Sequence, residues 1–241
     1  MSFLINSSIY KKSGLVFVGG KAATQNFGTS PYDISLSGLS GGVGSSPQTD
    51  DIVVVYCGFS GLGDQPAAIS TSGYTELAEL FGNSGRDSNV SVNYKIMGAT
   101  PDTVVSVPSS TQATAYGSGA VVHVWRGVSL SNPIDVTTQV ATGVDYATAD
   151  PPSITPVTAG AIILAMYAGT ADSSPTAPTA PSGITKFVQA VSTAATSSFG
   201  IAIGAYEEWT SGTYDPPVWT GFEVGGTADS WCAATVVLRP A

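Results

Sequence analysis

The chain has 241 residues, of which only 10% are charged; 8 Lys+Arg face 17 Asp+Glu, for a net charge of −9. Between Ile96 and Thr185 the only basic side chains are His123 and Arg126, so the basic stripe that releases counterions from a phosphate backbone is missing and no nucleic-acid partner is expected. No apolar run approaches the ~20 residues of a membrane span, and one His and two Cys are too few for a zinc or haem site.

Along the chain, residues 1–48 hold one short apolar run at 14–18, followed by a Gly/Ser-rich tail. They carry Lys11, Lys12 and Lys21, three of the eight basic residues, and read as an N-terminal arm: an extra strand or a docking segment. The apolar stretch Leu15-Val-Phe-Val18 is shorter than the ~7–15 residues of a secretion-signal core, so synthesis in the cytoplasm is expected.

Asp51-Ile-Val-Val-Val-Tyr-Cys57 is a nearly continuous β-branched run, the pattern of a strand buried on both faces. Ala120-Val-Val-His-Val-Trp125 and Ala234-Thr-Val-Val-Leu238 read alike. Val90, Val92, Tyr94 and Ile96 alternate with Asn89, Ser91, Asn93 and Lys95, which predicts a half-buried strand. Gly/Ser/Pro/Asp clusters at 41–48, 58–66, 82–88 and 170–183 separate the runs. Thr75-Glu-Leu-Ala-Glu-Leu-Phe81 has helix formers, but its period is undecided. Cys57 and Cys232 form either one long-range disulfide or two buried thiols; the second is expected.

The chain reads as two copies of one unit. Ile52-Val-Val-Val aligns with Ile162-Ile-Leu-Ala, and Ser72-Gly-Tyr-Thr-Glu-Leu77 with Ser182-Gly-Ile-Thr-Lys-Phe187, both at an offset of 110 residues. Val124-Trp-Arg126 falls on Val237-Leu-Arg239 at an offset of 113. The second copy of the undecided stretch, Thr185-Lys-Phe-Val-Gln-Ala-Val191, alternates as a strand, so 75–81 is expected to be one too. The expected fold is all-β, a jelly-roll-like or Ig-like β-sandwich with little or no helix, in two tandem repeats. Residues 49–131 form the first sandwich repeat, 132–156 a Pro-rich linker, and 157–241 the second.

Catalytic patterns are sparse. Any Ser-His-Asp triad must use His123, which lies inside a strand and reads as a core histidine. The carboxylate pairs Asp50/Asp51 and Glu207/Glu208 are adjacent and point to opposite strand faces, not across a glycosidase cleft. No Asp-x-Asp-x-Asp/Asn-Gly calcium loop occurs. No catalytic residue, cofactor or metal is assigned.

The best ligand-surface candidate runs from Glu207 to Glu223. It sets Trp209, Tyr214, Trp219 and Phe222 beside Glu207, Glu208 and Asp215, and flat rings beside acidic acceptors suit a carbohydrate. The plainer alternative makes Trp219 and Phe222 strand core and Tyr214-Asp-Pro-Pro217 a turn. The first copy has Met97 where this one has Trp209.

Asp50-Asp51-Ile-Val-Val-Val, Ser72-Gly-Tyr-Thr, Asn93-Tyr-Lys, Val124-Trp-Arg-Gly-Val128 and Asn132-Pro-Ile-Asp135 follow one another in an order that resembles a group of phage and prophage-encoded virion structural proteins. In these the same order often occurs twice. The resemblance covers roughly residues 35–241. The chain departs from it at Asp50, where the pattern has Gly, and at Ser72, where it often has Pro. The resemblance implies a non-enzymatic protein on a bacteriophage particle, assembled in the host cytoplasm: a capsid decoration or head-surface protein, or part of a tail fibre. The alternative reading is a tail-associated receptor-binding or carbohydrate-binding module that uses the surface from Trp209 to Phe222. Its implied partners are other virion proteins, copies of itself in an oligomer or lattice, and a host surface glycan; no membrane is involved. The basic N-terminal arm would then be the contact to an acidic shell.

Overall fold

The computed structural model describes residues 14–26, 30–111, 116–144, 149–171, 175–194, 197–207, 209–220 and 229–241. Among these the regular structure is all strand, with no helix. The strands are β1 (Val16–Gln25), β2 (Tyr32–Ser35), β3 (Ile52–Gly61), β4 (Thr75–Gly82), β5 (Asp87–Ile96), β6 (Val104–Val107), β7 (Ser118–Arg126), β8 (Gln139–Val144), β9 (Ile162–Ala171), β10 (Thr185–Ser192), β11 (Ser198–Tyr206) and β12 (Ser230–Leu238). Residues 75–81 are strand, as their second copy implied.

Two five-stranded antiparallel sheets form a β-sandwich, in the orders β1-β7-β3-β5-β4 and β8-β12-β9-β11-β10. The second order is the first with each strand replaced by its repeat partner. The registers of the β3–β7 and β9–β12 pairs agree residue by residue. Ile52 lies opposite Trp125 and Ile162 opposite Leu238, which reproduces both offsets. The pairing slips at the same place in each copy, between Glu76 and Ala78 in β4 and between Thr185 and Val188 in β10. The turns entering β4 and β10 each place a glycine in the left-handed region, Gly73 at φ 84° and Gly183 at φ 82°, where a side chain is strained.

The repeats do not close into a sandwich each. Every repeat supplies one sheet, and the inner faces of the two sheets share a single core. Ile52, Val54, Tyr56, Val90, Val92, Val121 and Trp125 from the first meet Leu164, Met166, Phe199, Ile201, Ile203, Ala234 and Val236 from the second. The reason is geometric: one open sheet has no way to bury its apolar inner face alone. Residues from the expected arm and linker belong to the sheets, since β1 pairs with β7 at the edge of the first sheet and β8 with β12 at the edge of the second.

Both sheets are also covered outside. The β2–β6 ribbon lays Ile34, Val105 and Val107 on Val53, Val55 and Val122. Trp219, Ala149 and Ile184 cover Tyr167, Ala202 and Ala233 of the second sheet. All ten residues of β3 and of β9 are therefore buried. The polar face of β5, expected in water, is buried too. Ser91 Oγ donates to the Ala67 carbonyl (2.6 Å), Asn93 Nδ2 donates to Ser91 Oγ (2.8 Å), and Asn89 Oδ1 accepts from Gln65 N–H (2.7 Å). These bonds fasten a loop over the outer face, which is why the alternation misled.

Cys57 and Cys232 are free thiols, both buried. Cys57 packs in the outer layer and Cys232 in the core between the sheets, so a bond between them is out of reach. Burial pushes both thiols up, Cys57 to about 12.

At one end of the sandwich the final strand of each repeat closes on an ion pair. Arg126 makes a bidentate contact with Asp51 (2.8 and 2.9 Å), and Asp51 also accepts from Gln48 N–H at 2.7 Å. Arg239, the repeat partner of Arg126, donates from Nε to Asp135 (2.9 Å), which accepts from Val157 N–H (2.7 Å) and Thr158 N–H (3.1 Å) as well. Each Asp thus fixes the loop that enters a central strand, β3 or β9. Burial alone would raise the Asp135 pKa, but bonds from Thr158, Val157 and Arg239 outweigh it and hold the carboxyl below its usual range.

Asp50 has φ 68°, the left-handed region that glycine favours and Asp tolerates. This is the position where the resembled pattern carries Gly, and the backbone explains the preference. Asp50→Gly is expected to hold or slightly raise stability, and Asp50→Val to lower it by about 1–2 kcal/mol. Urea unfolding of the two variants checks this; equal effects would contradict the role assigned to the backbone.

Candidate functional site

The candidate residues of the second repeat divide sharply. Trp219 is only 1% exposed. Its ring stacks between Tyr167 (centroids 6.2 Å apart) and Phe187 (5.7 Å), and its N–H donates to the Ala149 carbonyl at 2.9 Å through the backbone. It is a core residue covering the second sheet, not part of a ligand surface, because the outer face of that sheet is apolar and needs a lid. Phe222, Glu223 and Glu208 lie outside the described residues.

Trp209 and Tyr214 remain half-buried. The Trp209 indole N–H donates to the Gly212 carbonyl (2.9 Å), which closes a tight turn and fixes the ring. Tyr214 stacks on Tyr206 with centroids 4.1 Å apart. Burial, with Tyr206 and Asp215 adding to it, pushes the Tyr214 phenol up to about 12. Main-chain bonds in both directions between Tyr214 and Ile154 (2.8 and 2.9 Å) hold this turn to the segment before β9.

Asp215 is exposed on the same turn. Asp150 lies near enough that burial and the charge of Asp215 raise its pKa. Glu207 faces elsewhere in function: it accepts from Thr185 Oγ1 (2.6 Å) and lies 3.4 Å from Lys186 Nζ, so it ties β10 to β11.

Beside Tyr214 opens a shallow groove of about 380 Å³, with Val136 and Ile154 as its apolar residues and Thr137, Gln139, Ser153, Thr155 and Thr213 as its polar ones. Val136, Trp209 and Tyr214 pack on one cluster with Ile154, so the groove and the two rings form one patch. The patch offers hydroxyls, an amide and flat aromatic surface, and its lining carries no charged side chain. Such a surface suits a neutral polyhydroxylated ligand. Sequence reasoning found Trp209, Tyr214 and Asp215 but missed Val136, Gln139 and Ile154, which come from the stretch taken as linker.

His123 is fully buried on the inner face of β7, with Phe17 at 4.8 Å and Trp125 at 6.2 Å between ring centroids. Neither ring nitrogen has a hydrogen bond of good geometry. Burial, opposed only in part by the nearby Lys186 backbone, lowers its pKa to about 3. A neutral imidazole closed off from substrate has no role as a general base, so the core reading of His123 stands. Among the described residues no group of three or more His, Cys, Asp or Glu is placed to hold a metal ion.

Of the basic candidates, Lys11 and Lys12 lie outside the described residues. Lys21 stands on edge strand β1 and donates to the Ser37 carbonyl at 2.6 Å.

No family model matches the chain, and comparison with curated proteins and with solved structures finds no match.

The buried His123 contributes to the acid side of the stability profile, beside carboxylates such as Asp135 that are held below their usual range. Its native pKa of about 3 lies below the ordinary value of 6.5, so between those two values the unfolded chain binds a proton that the native chain does not. Its contribution to stability is then complete above pH 6.5 and is lost as pH drops toward 3. Urea unfolding across this window should show a shallower fall for His123→Leu than for wild type; parallel profiles would contradict the assignment.

Proposed function

We propose that this protein is a non-catalytic structural protein on the surface of a bacteriophage particle, with decoration of the head as its first role. The observation that carries the reading is the use to which the resemblance-bearing residues are put. Asp51 and Arg126 pair with each other, and Asp135 with Arg239. Lys95 donates to Asp102 (2.7 Å) and to the Ser72 carbonyl (3.2 Å), and its ammonium lies 5.5 Å from the Tyr74 ring centroid. Gly127, at φ 85°, leaves room where a Cβ would meet the Gly14 carbonyl at 2.4 Å. The motifs therefore secure strand ends and loops rather than line a cleft, as befits a scaffold whose work is to be displayed. Many copies on a lattice turn weak individual contacts into stable attachment.

Gold-tagged antibody against the protein, applied to particles from a producing culture, should mark the head in electron micrographs. Unlabelled particles would overturn the proposal. Since β1 begins at Val16, removal of residues 1–13 leaves that strand whole and tests the docking arm: attachment should be lost while the sandwich still folds.

A second reading, a tail-associated module that binds a host glycan, draws on the groove beside Trp209 and Tyr214. It requires glycan-array binding by wild type that Trp209→Ala abolishes, together with gold at the tail tip. Retained binding in that variant would remove the reading.

A further inference from the structure

Strands β1 and β8 are repeat partners at equivalent sheet edges, yet the structure treats them differently. The outer side of the first half of β1, Phe17 to Gly20, is satisfied within the chain. Gly20 and Ser40 exchange bonds (2.9 and 3.0 Å), Val43 N–H donates to the Phe17 carbonyl (3.1 Å), and Gly44 N–H donates to the Val18 carbonyl (2.8 Å). Residues 40–44 thus cap that part of the edge with main-chain bonds. No main-chain bond of this kind reaches the outer side of β8 from the described residues.

Which groups of β8 point outward follows from strand alternation. Asp135 N–H donates to the Val237 carbonyl and Arg239 N–H to the Pro133 carbonyl, both at 2.9 Å, so the odd-numbered residues of β12 turn toward β8. Their partners Gln139, Ala141 and Gly143 are used within the sheet. Val140, Thr142 and Val144 turn their N–H and C=O groups away from it, although the Val144 carbonyl also accepts from the Trp231 indole at 3.3 Å.

The side chains of the same three residues lie on the face shared with Cys232 and Ala234. There Val140 is 45% and Val144 52% exposed. Natural edges are commonly blunted by Lys, Pro or a bulge. Residues 136–144 contain no charge and no Pro, and the β8–β12 register runs without a shift.

We propose that β8 is a homotypic docking edge, at which two copies pair antiparallel about a two-fold axis through Thr142. Three features select a second copy as the occupant. The segment is self-complementary, since pairing centred on Thr142 sets Val140 against Val144 of the other copy and Thr142 against itself. Between chains of net charge −9, association is least opposed where neither edge carries charge. And in the first sheet the equivalent edge β1 takes main-chain bonds from a further segment, residues 40–44, so an edge at this position of the repeat can be extended. The pairing joins two second sheets into one continuous sheet and buries the exposed valines. It closes on itself as an isologous dimer, and it holds whether or not the protein belongs to a phage particle.

The test is sedimentation of the full chain from micromolar to millimolar concentration, beside Thr142→Pro. The Thr142 N–H points out of the sheet, so Pro removes an intermolecular donor without breaking the β8–β12 ladder. Wild type should form a dimer, and the variant should dissociate about tenfold more readily or further with an unchanged far-UV spectrum. Val144→Lys, on an exposed side chain, provides the same readout if Thr142→Pro fails to fold. A wild-type monomer at every concentration overturns the proposal, as does self-association that persists in the folded variants.

Discussion

At the end of the sandwich opposite the ion pairs, main-chain hydrogen bonds cross from one sheet to the other, and the rest of the architecture depends on them. Gly117 N–H, at the start of β7, donates to the Ser197 carbonyl beside β11 (2.8 Å). Ser230 N–H, at the start of β12, donates to the Arg86 carbonyl beside β5 (3.3 Å). The two seams are repeat partners, and each is reinforced by a buried hydroxyl. Ser60 Oγ donates to the Ser197 (3.1 Å) and Gly117 (3.3 Å) carbonyls, and Thr170 Oγ1 to the Arg86 (2.9 Å) and Ser230 (3.3 Å) carbonyls. A third hydroxyl link joins Ser88 and Ser230 at 2.9 Å. An interior that hydrophobic burial alone would leave free to slide is registered by these directional bonds. Because every seam joins one repeat to the other, neither repeat has satisfied backbone without its partner.

From that constraint the layering follows. The first sheet and its duplicate face each other across an apolar core, and each needs its own outer cover. The two copies solved the covering problem differently, by the β2–β6 ribbon over one sheet and by Trp219 with the segments before β9 and β10 over the other. The candidate ligand surface lies where these covers diverge. Trp209 and Tyr214 stand at the rim of the second cover, while Met97, at the place of Trp209 in the first copy, is 1% exposed and packed inward.

The strands and the duplication were legible because β-branched runs and matched turns are local signals. Ser72-Gly73 and Ser182-Gly183 repeat because the backbone needs a left-handed residue before β4 and before β10. The assignment of one sheet to each repeat was not legible, since it rests on contacts such as Ser88 with Ser230, far apart in sequence and chemically unremarkable. The strand β8 was hidden among the prolines of 132–156, where Gln139-Val-Ala-Thr-Gly-Val144 alternates too weakly to stand out. Trp219 read either as a ligand aromatic or as core because a buried lid residue and a sugar platform have the same sequence signature; its burial bears out the core alternative. The polar face of β5 read as solvated because Asn89, Ser91 and Asn93 do not announce that a loop will fold over them.

If the seams make the two repeats one body, the chain must unfold as one body. Differential scanning calorimetry of the intact protein should give a single transition whose calorimetric and van't Hoff enthalpies agree. Two resolved transitions, or a van't Hoff enthalpy near half the calorimetric value, would mean that the repeats fold independently and would contradict the account.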